Sequence, residues 1–159
     1  MVMYATTLEK KITRYLKDFG IKRAKVNDYF CYYPSNQTIT FSMFNYPEDE
    51  LLIEFIRNKY DIDVSLCYFV FALLHEVGHH VTLPLVSIED YTNDGLMRQL
   101  VNASDQKDEF YFNLPTEVLA TEWALAYLTQ HFEECWNFQS KCLKIIQHVY
   151  KKKSFPANK

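Results

Sequence analysis

The chain has 159 residues, 48% of them hydrophobic and 16% aromatic, which suits one folded domain with a sizeable core and no disordered bulk. A formal net charge of −3 gives no general attraction to nucleic acid. No stretch holds the roughly 18 consecutive apolar residues that a membrane span requires.

The N-terminus lacks a signal-peptide apolar region, because Glu9, Lys10 and Lys11 arrive early. Thr6 to Phe19 reads as an amphipathic helix with Leu8, Ile12, Tyr15, Leu16 and Phe19 on one side, stopped by Gly20. Asp28 to Tyr33 and Thr38 to Phe44 read as two strands joined across Pro34-Ser35-Asn36-Gln37. In the second, Ile39, Phe41 and Met43 alternate with Thr38, Thr40 and Ser42, the pattern of a half-buried strand. It is either an ordinary core strand or a sheet edge to which an extended peptide adds as a further strand. Pro47-Glu48-Asp49-Glu50 opens a helix running to about Asn58, its acidic first turn matching the helix dipole.

Val64 to Leu74 is apolar nearly all the way round, as expected of a helix through the core. Asp61 or Asp63 can cap its start, and Pro84 ends it. At its far end stands His75-Glu76-Val77-Gly78-His79, the HExxH pattern. Residues four apart lie about 40° apart around a helix, so the two imidazoles share a face and can grip one Zn²⁺. Glu76 then leans over the open side of the metal, where it can take a proton from bound water. The bland reading is a surface helix that happens to carry these residues. Gly78 is one of only three glycines, and a helical glycine costs about 1 kcal/mol relative to alanine; its place between the ligands points to a close neighbour or a substrate.

Ser87 to Phe112 reads as a loop-rich connection that covers or borders the cleft, with a short helix at Asp94 to Val101. Asn113-Leu114-Pro115 starts another helix carrying Glu117, Leu119, Ala120, Trp123, Ala124 and Tyr127. After a break near Thr129 to His131, a last helix is expected to bury Phe132, Cys135, Trp136, Cys142, Leu143, Ile146 and Val149. Residues 1–150 form the expected domain, and 151–159, with Lys151, Lys152, Lys153 and Lys159, a basic flexible tail. Cys31, Cys67, Cys135 and Cys142 are too few and too scattered for a disulfide framework, and no CxxC is present. A reduced, cytoplasmic protein is the expectation.

A catalytic zinc normally has three protein ligands plus water. The residues after His79 do not complete HExxHxxGxxH, and His80 lies about 140° round the helix from His75. The third ligand therefore comes from elsewhere. Glu117 is favoured, since small Ala120, Thr121 and Ala124 follow it and allow close helix approach; Glu122, about 140° further round, is the rival.

Glu117-x-x-Ala120-Thr121-x-Trp123-Ala124, following HExxH, resembles the E-x-x-A-N-x-F-A segment of ImmA/IrrE-type metallopeptidases. The resemblance spans roughly residues 30 to 128, with Thr121 in place of the usual Asn and Trp123 in place of Phe. It implies a compact gluzincin whose third zinc ligand is Glu117, and a protein or peptide substrate such as a specific regulatory protein. The expected fold class is then α+β: a mostly helical single domain with a small antiparallel sheet, zincin-like, with HExxH on a buried helix. The expected activity is a zinc metalloendopeptidase, with Glu76 as catalytic base and a further donor, a Tyr or His, for the oxyanion. Twelve tyrosines, with His131 and His148, offer candidates for that donor, and none stands out. The competing reading is a catalytically inactive zincin-fold module acting through protein–protein contacts. Neither reading expects direct nucleic-acid or membrane binding.

Overall fold

A computed structural model describes residues 2–43, 47–101 and 107–153. Helix α1 (Val2–Leu16) begins four residues before the sequence pattern starts, and buries Leu8, Ile12 and Leu16 completely. Their spacing of four residues puts them on one face. A 3-10 turn, Lys17–Phe19, leads to Gly20, whose φ of 87° lets its N–H close on the Lys17 carbonyl. Only glycine takes that conformation without strain.

The sheet has three strands, β1 (Arg23–Val26), β2 (Cys31–Tyr33) and β3 (Thr38–Phe41), in the order β1-β3-β2. It is mixed rather than antiparallel, because β1 runs parallel to β3 while β2 and β3 form the hairpin. The sequence pattern passed over β1, a strand of only four residues with Arg23 and Lys25 facing solvent. Its outer edge is covered by α1: Thr13 Oγ1 accepts the Ala24 N–H and Glu9 Oε1 accepts the Val26 N–H, both at 2.9 Å. Side chains of α1 thus satisfy an edge that would otherwise be open to pairing. β3 is paired on both sides and buried along its whole length, so it is a core strand and has no edge to offer a peptide. Among the described residues the outer edge of β2 pairs with no strand, although its Tyr32 N–H reaches Glu76.

After α2 (Pro47–Tyr60), a 3-10 turn at Ser65–Cys67 leads into α3 (Tyr68–Thr82). Of the two expected capping residues, Asp63 accepts the Ser65 N–H at 2.9 Å in the 3-10 turn, while α3 itself begins after Cys67 with no side-chain cap. The first turn of α3 takes its remaining partner from far along the chain. Gln139 accepts the Val70 N–H at 3.1 Å and donates to the Leu66 carbonyl at 2.6 Å. Val70, Phe71, Leu73, Leu74 and Val77 are fully buried, each worth about 1.5–3 kcal/mol of apolar burial. Ser65–Leu85 is long and apolar enough to cross a membrane, but 67% of its most apolar window is buried against the rest of the chain.

The connection expected to be loop-rich is instead mostly helical: α4 (Ile88–Val101) and α5 (Lys107–Phe112). Ser87 nucleates α4 by accepting the Asp90 N–H at 3.0 Å, an N-cap that the mixed apolar pattern hid. α6 (Pro115–Gln130) and α7 (Phe132–Lys153) follow, with the break at His131 where expected. α7 buries Cys135, Cys142, Ile146 and Val149, but Phe132 and Trp136 are 51% and 41% exposed and stack on each other outside the core. The last helix also carries Lys151–Lys153, so the segment expected to fray from residue 151 is helical to 153; residues 154–159 lie outside the described residues. All four cysteines are free thiols.

The contact that sets the architecture is α3 against α6. A Cβ on Gly78 would stand 2.5 Å from the Ala120 carbonyl oxygen and 2.8 Å from its Cα. Gly78 is therefore there for a close neighbour, the α6 backbone itself.

Candidate metal centre

This close approach of α6 brings its first turn up to the histidines. Leu114 is extended and Pro115 opens the helix, placing Glu117 in the first turn with its side chain facing α3. Glu117 Oε2 lies 3.0 Å from His75 Nε2 and 3.4 Å from His79 Nε2. The two imidazole rings are 4.7 Å apart, centroid to centroid, and nearly perpendicular at 85°. One ligand atom from each of the three residues falls within 4.8 Å of the others. Zinc–ligand bonds of about 2.0–2.1 Å in a tetrahedron put neighbouring donor atoms about 3.3 Å apart. The carboxylate–imidazole spacings therefore fit a zinc-sized cation, and two imidazoles with one carboxylate form a recognised catalytic zinc set.

Glu122 is exposed on the turn of α6 that faces away, and His80 is engaged elsewhere. Its Nδ1 is 2.6 Å from the Tyr32 hydroxyl, and its Nε2 would be 3.0 Å from a Cβ at Gly20. His131 stacks on Tyr127 and His148 packs against Tyr4; neither lines the cleft beside the triad.

Without a metal the cluster is charge-coupled. Burial pushes the Glu117 carboxyl up, but hydrogen bonds from His75 and His79 outweigh it and hold the group well below its ordinary value. His79 feels burial in the opposite sense, and Glu117 overrides it so that the imidazole is raised. Glu76 is raised chiefly by burial, with both histidines pulling it back down, and a backbone hydrogen bond from Tyr32 also reaches it. A buried carboxyl moved toward neutrality is suited to taking and returning a proton.

A cleft of about 340 Å³ opens beside the triad, with Glu76, His79 and Glu117 in its wall. β2 supplies Cys31 and Tyr32 on one side, and α4 supplies Tyr91, Asp94 and Arg98 on the other. The sequence reading placed this segment at the cleft but missed its residues. Arg98 pairs with Glu117 Oε1, donates to the Tyr111 hydroxyl at 3.0 Å, and reaches Thr116 Oγ1 at 3.2 Å. Asp94, only 3% exposed, accepts the Thr116 N–H at 3.0 Å, capping the free first turn of α6. The available signal was the four-residue spacing of Asp94 and Arg98, which puts both on one helix face.

Thr121 also has a role beyond small size. Its hydroxyl is 3.2 Å from His75 Nδ1 and can either donate or accept. When His75 Nε2 offers its lone pair to a cation, the ring proton sits on Nδ1 and Thr121 accepts it. Partners of this kind orient metal-binding imidazoles.

Comparisons of the chain with family models, with curated proteins and with solved structures found no match.

Proposed function

We propose that this protein is a zinc-dependent metallopeptidase of the HExxH type, zincin-like and close in plan to the gluzincins. His75, His79 and Glu117 would hold the metal, and Glu76 would act as general base. The observation that carries the reading is the convergence of the three donor groups at spacings suited to one tetrahedral cation, beside a cleft that Glu76 also lines.

Zinc held there would lower the pKa of a water molecule and polarise the scissile carbonyl. Glu76, raised by burial, takes the proton from the attacking water and delivers it to the departing amine. Tyr111, in the cleft wall beside Arg98, supplies a candidate for the developing oxyanion that the sequence alone left unassigned. An extended protein or peptide segment is the substrate class, laid along the outer edge of β2, whose Tyr32 N–H reaches Glu76, so that main-chain hydrogen bonds set its register.

A second reading has its own supporting observation. Glu117 pairs with His75, His79 and Arg98, as it would in a purely structural polar cluster or an inactive binding module. Metal analysis of purified protein, followed by peptidase assays on wild type and Glu76→Gln, separates the two. About one zinc per chain and proteolysis abolished in Glu76→Gln support the enzyme. No zinc after reconstitution leaves the polar cluster; zinc without cleavage of any peptide in a random library leaves the binding module.

A further inference from the structure

Glu117 presents its two oxygens to different partners. Oε2 faces the two imidazoles, while Oε1 is engaged by Arg98. That guanidinium is held in turn: one nitrogen donates to the Tyr111 hydroxyl, the other reaches Thr116, and its carbon lies 5.0 Å from the centre of the Tyr111 ring. One turn earlier on α4, Asp94 fixes the Thr116 backbone, so the helix that carries Arg98 is tied to the turn that carries Glu117. Arginine keeps its charge at all relevant pH values, and its planar fork binds carboxylate directionally.

A carboxylate beside a divalent cation can bind through one oxygen or through both. Chelation by both would fill a position that a catalytic site leaves for water. We propose that Arg98 is a positioning residue that makes Glu117 a one-oxygen ligand, by occupying Oε1, and so reserves a coordination position for water. The inference rests on the metal reading above. It gives α4 a specific task in the site, beyond bordering the cleft.

Affinity by itself is an ambiguous readout. Loss of Arg98 frees Oε1 and removes the clamp, yet it also removes a positive charge that repels the incoming cation. Coordination number is the direct measure. Cobalt(II) replaces zinc as a visible probe, and X-ray absorption of the zinc form gives coordination number independently. Wild type is expected to show the intense visible bands of a four-coordinate cobalt site. Arg98→Met should lose most of that intensity as a fifth oxygen enters, with zinc affinity lower by about tenfold, the small end of the range for outer partners. Arg98→Lys, which keeps a charge but offers a single point donor, should fall between them. Tyr111→Phe, which releases one side of the guanidinium, should shift the spectrum in the same direction and keeps the test available if Arg98→Met does not fold. Wild type that takes up neither metal overturns the metal reading and this inference together. Wild type that binds both, with spectra and affinities unchanged in Arg98→Met, Arg98→Lys and Tyr111→Phe, overturns this inference alone.

Discussion

Two helices meet α6 at the candidate site, and they do so by opposite means. α3 meets it through small residues and apolar side chains, so closely that Gly78 has no room for a Cβ. α4 meets it through charge and hydrogen bonds. Its one fully buried side chain among those described is Asp94, while Ile88, Leu96 and Met97 face outward and Ile88 is 87% exposed. The α3–α6 seam is rigid because close packing has no soft direction. The α4 contact depends on a few directional polar groups, whose net worth is small because water competes for each. Elements held in that way open at lower free-energy cost than core elements. The seam holds the His75–His79–Glu117 cluster in place, and α4 reaches it through Arg98.

The largest expected break in this comparison is at the seam. Glu117→Gln should weaken zinc binding by more than the roughly hundredfold that marks the upper end for outer partners, whereas Glu122→Gln should bind as wild type does. Competition with a chromophoric chelator measures both, and equal losses would undo the assignment of Glu117. Next comes Gly78→Ala. Helix propensity alone would add about 1 kcal/mol of stability, but the new methyl would meet Ala120 backbone at 2.5 Å, and overpacking costs about 3 kcal/mol. The net loss of about 2 kcal/mol lowers the thermal midpoint by roughly 4–8 °C.

Gly95→Ala on α4 sharpens the contrast, because a Cβ there meets nothing within 4 Å. The propensity gain should survive intact, raising the midpoint by roughly 2–4 °C for about 1 kcal/mol. A fall instead would mean that α4 is packed as tightly as α3. The smallest effect is a pH slope in the metal-free protein. His79 is raised above its ordinary 6.5 by Glu117 against burial, so its contribution is full below about pH 6.5 and is lost as pH rises through the folded-state value. Glu76, raised by burial, changes stability in the same direction. Glu117, held low by its histidine partners against burial, contributes above its ordinary 4.5 and loses this only as pH falls through its depressed value. Melting in chelator should therefore give a midpoint that declines as pH rises above His79's ordinary 6.5. A flat or rising midpoint would remove the ion pair from the account.

Much of the site was legible because its spacing is local. His75, Glu76 and His79 lie within one helical turn and a fraction, so their common placement follows from helix geometry alone. The small residues after Glu117 signalled a close helix approach, and Gly78 marked the other side of the same contact. α4 was hidden for a physical reason. Its apolar residues do not form a buried stripe, so hydrophobic periodicity, the strongest local signal, was absent. β1 escaped notice because four residues with two charges carry almost no pattern, and α1 rather than a second strand covers its edge. Phe132 and Trp136 were expected inside because they are large and aromatic, yet they cover each other at the surface.

The sequence by itself determined the helix that runs through the core and the shared face of its two histidines. Both follow from the repeat of one helix and need no knowledge of what lies across the cleft. Only the tertiary structure brought Glu117 rather than Glu122 beside the histidines, made the sheet mixed, and tied Arg98 and Asp94 to the first turn of α6. Those outcomes depend on where helices distant in sequence come to rest, and that is set by how side chains of particular shape and charge pack across the whole chain.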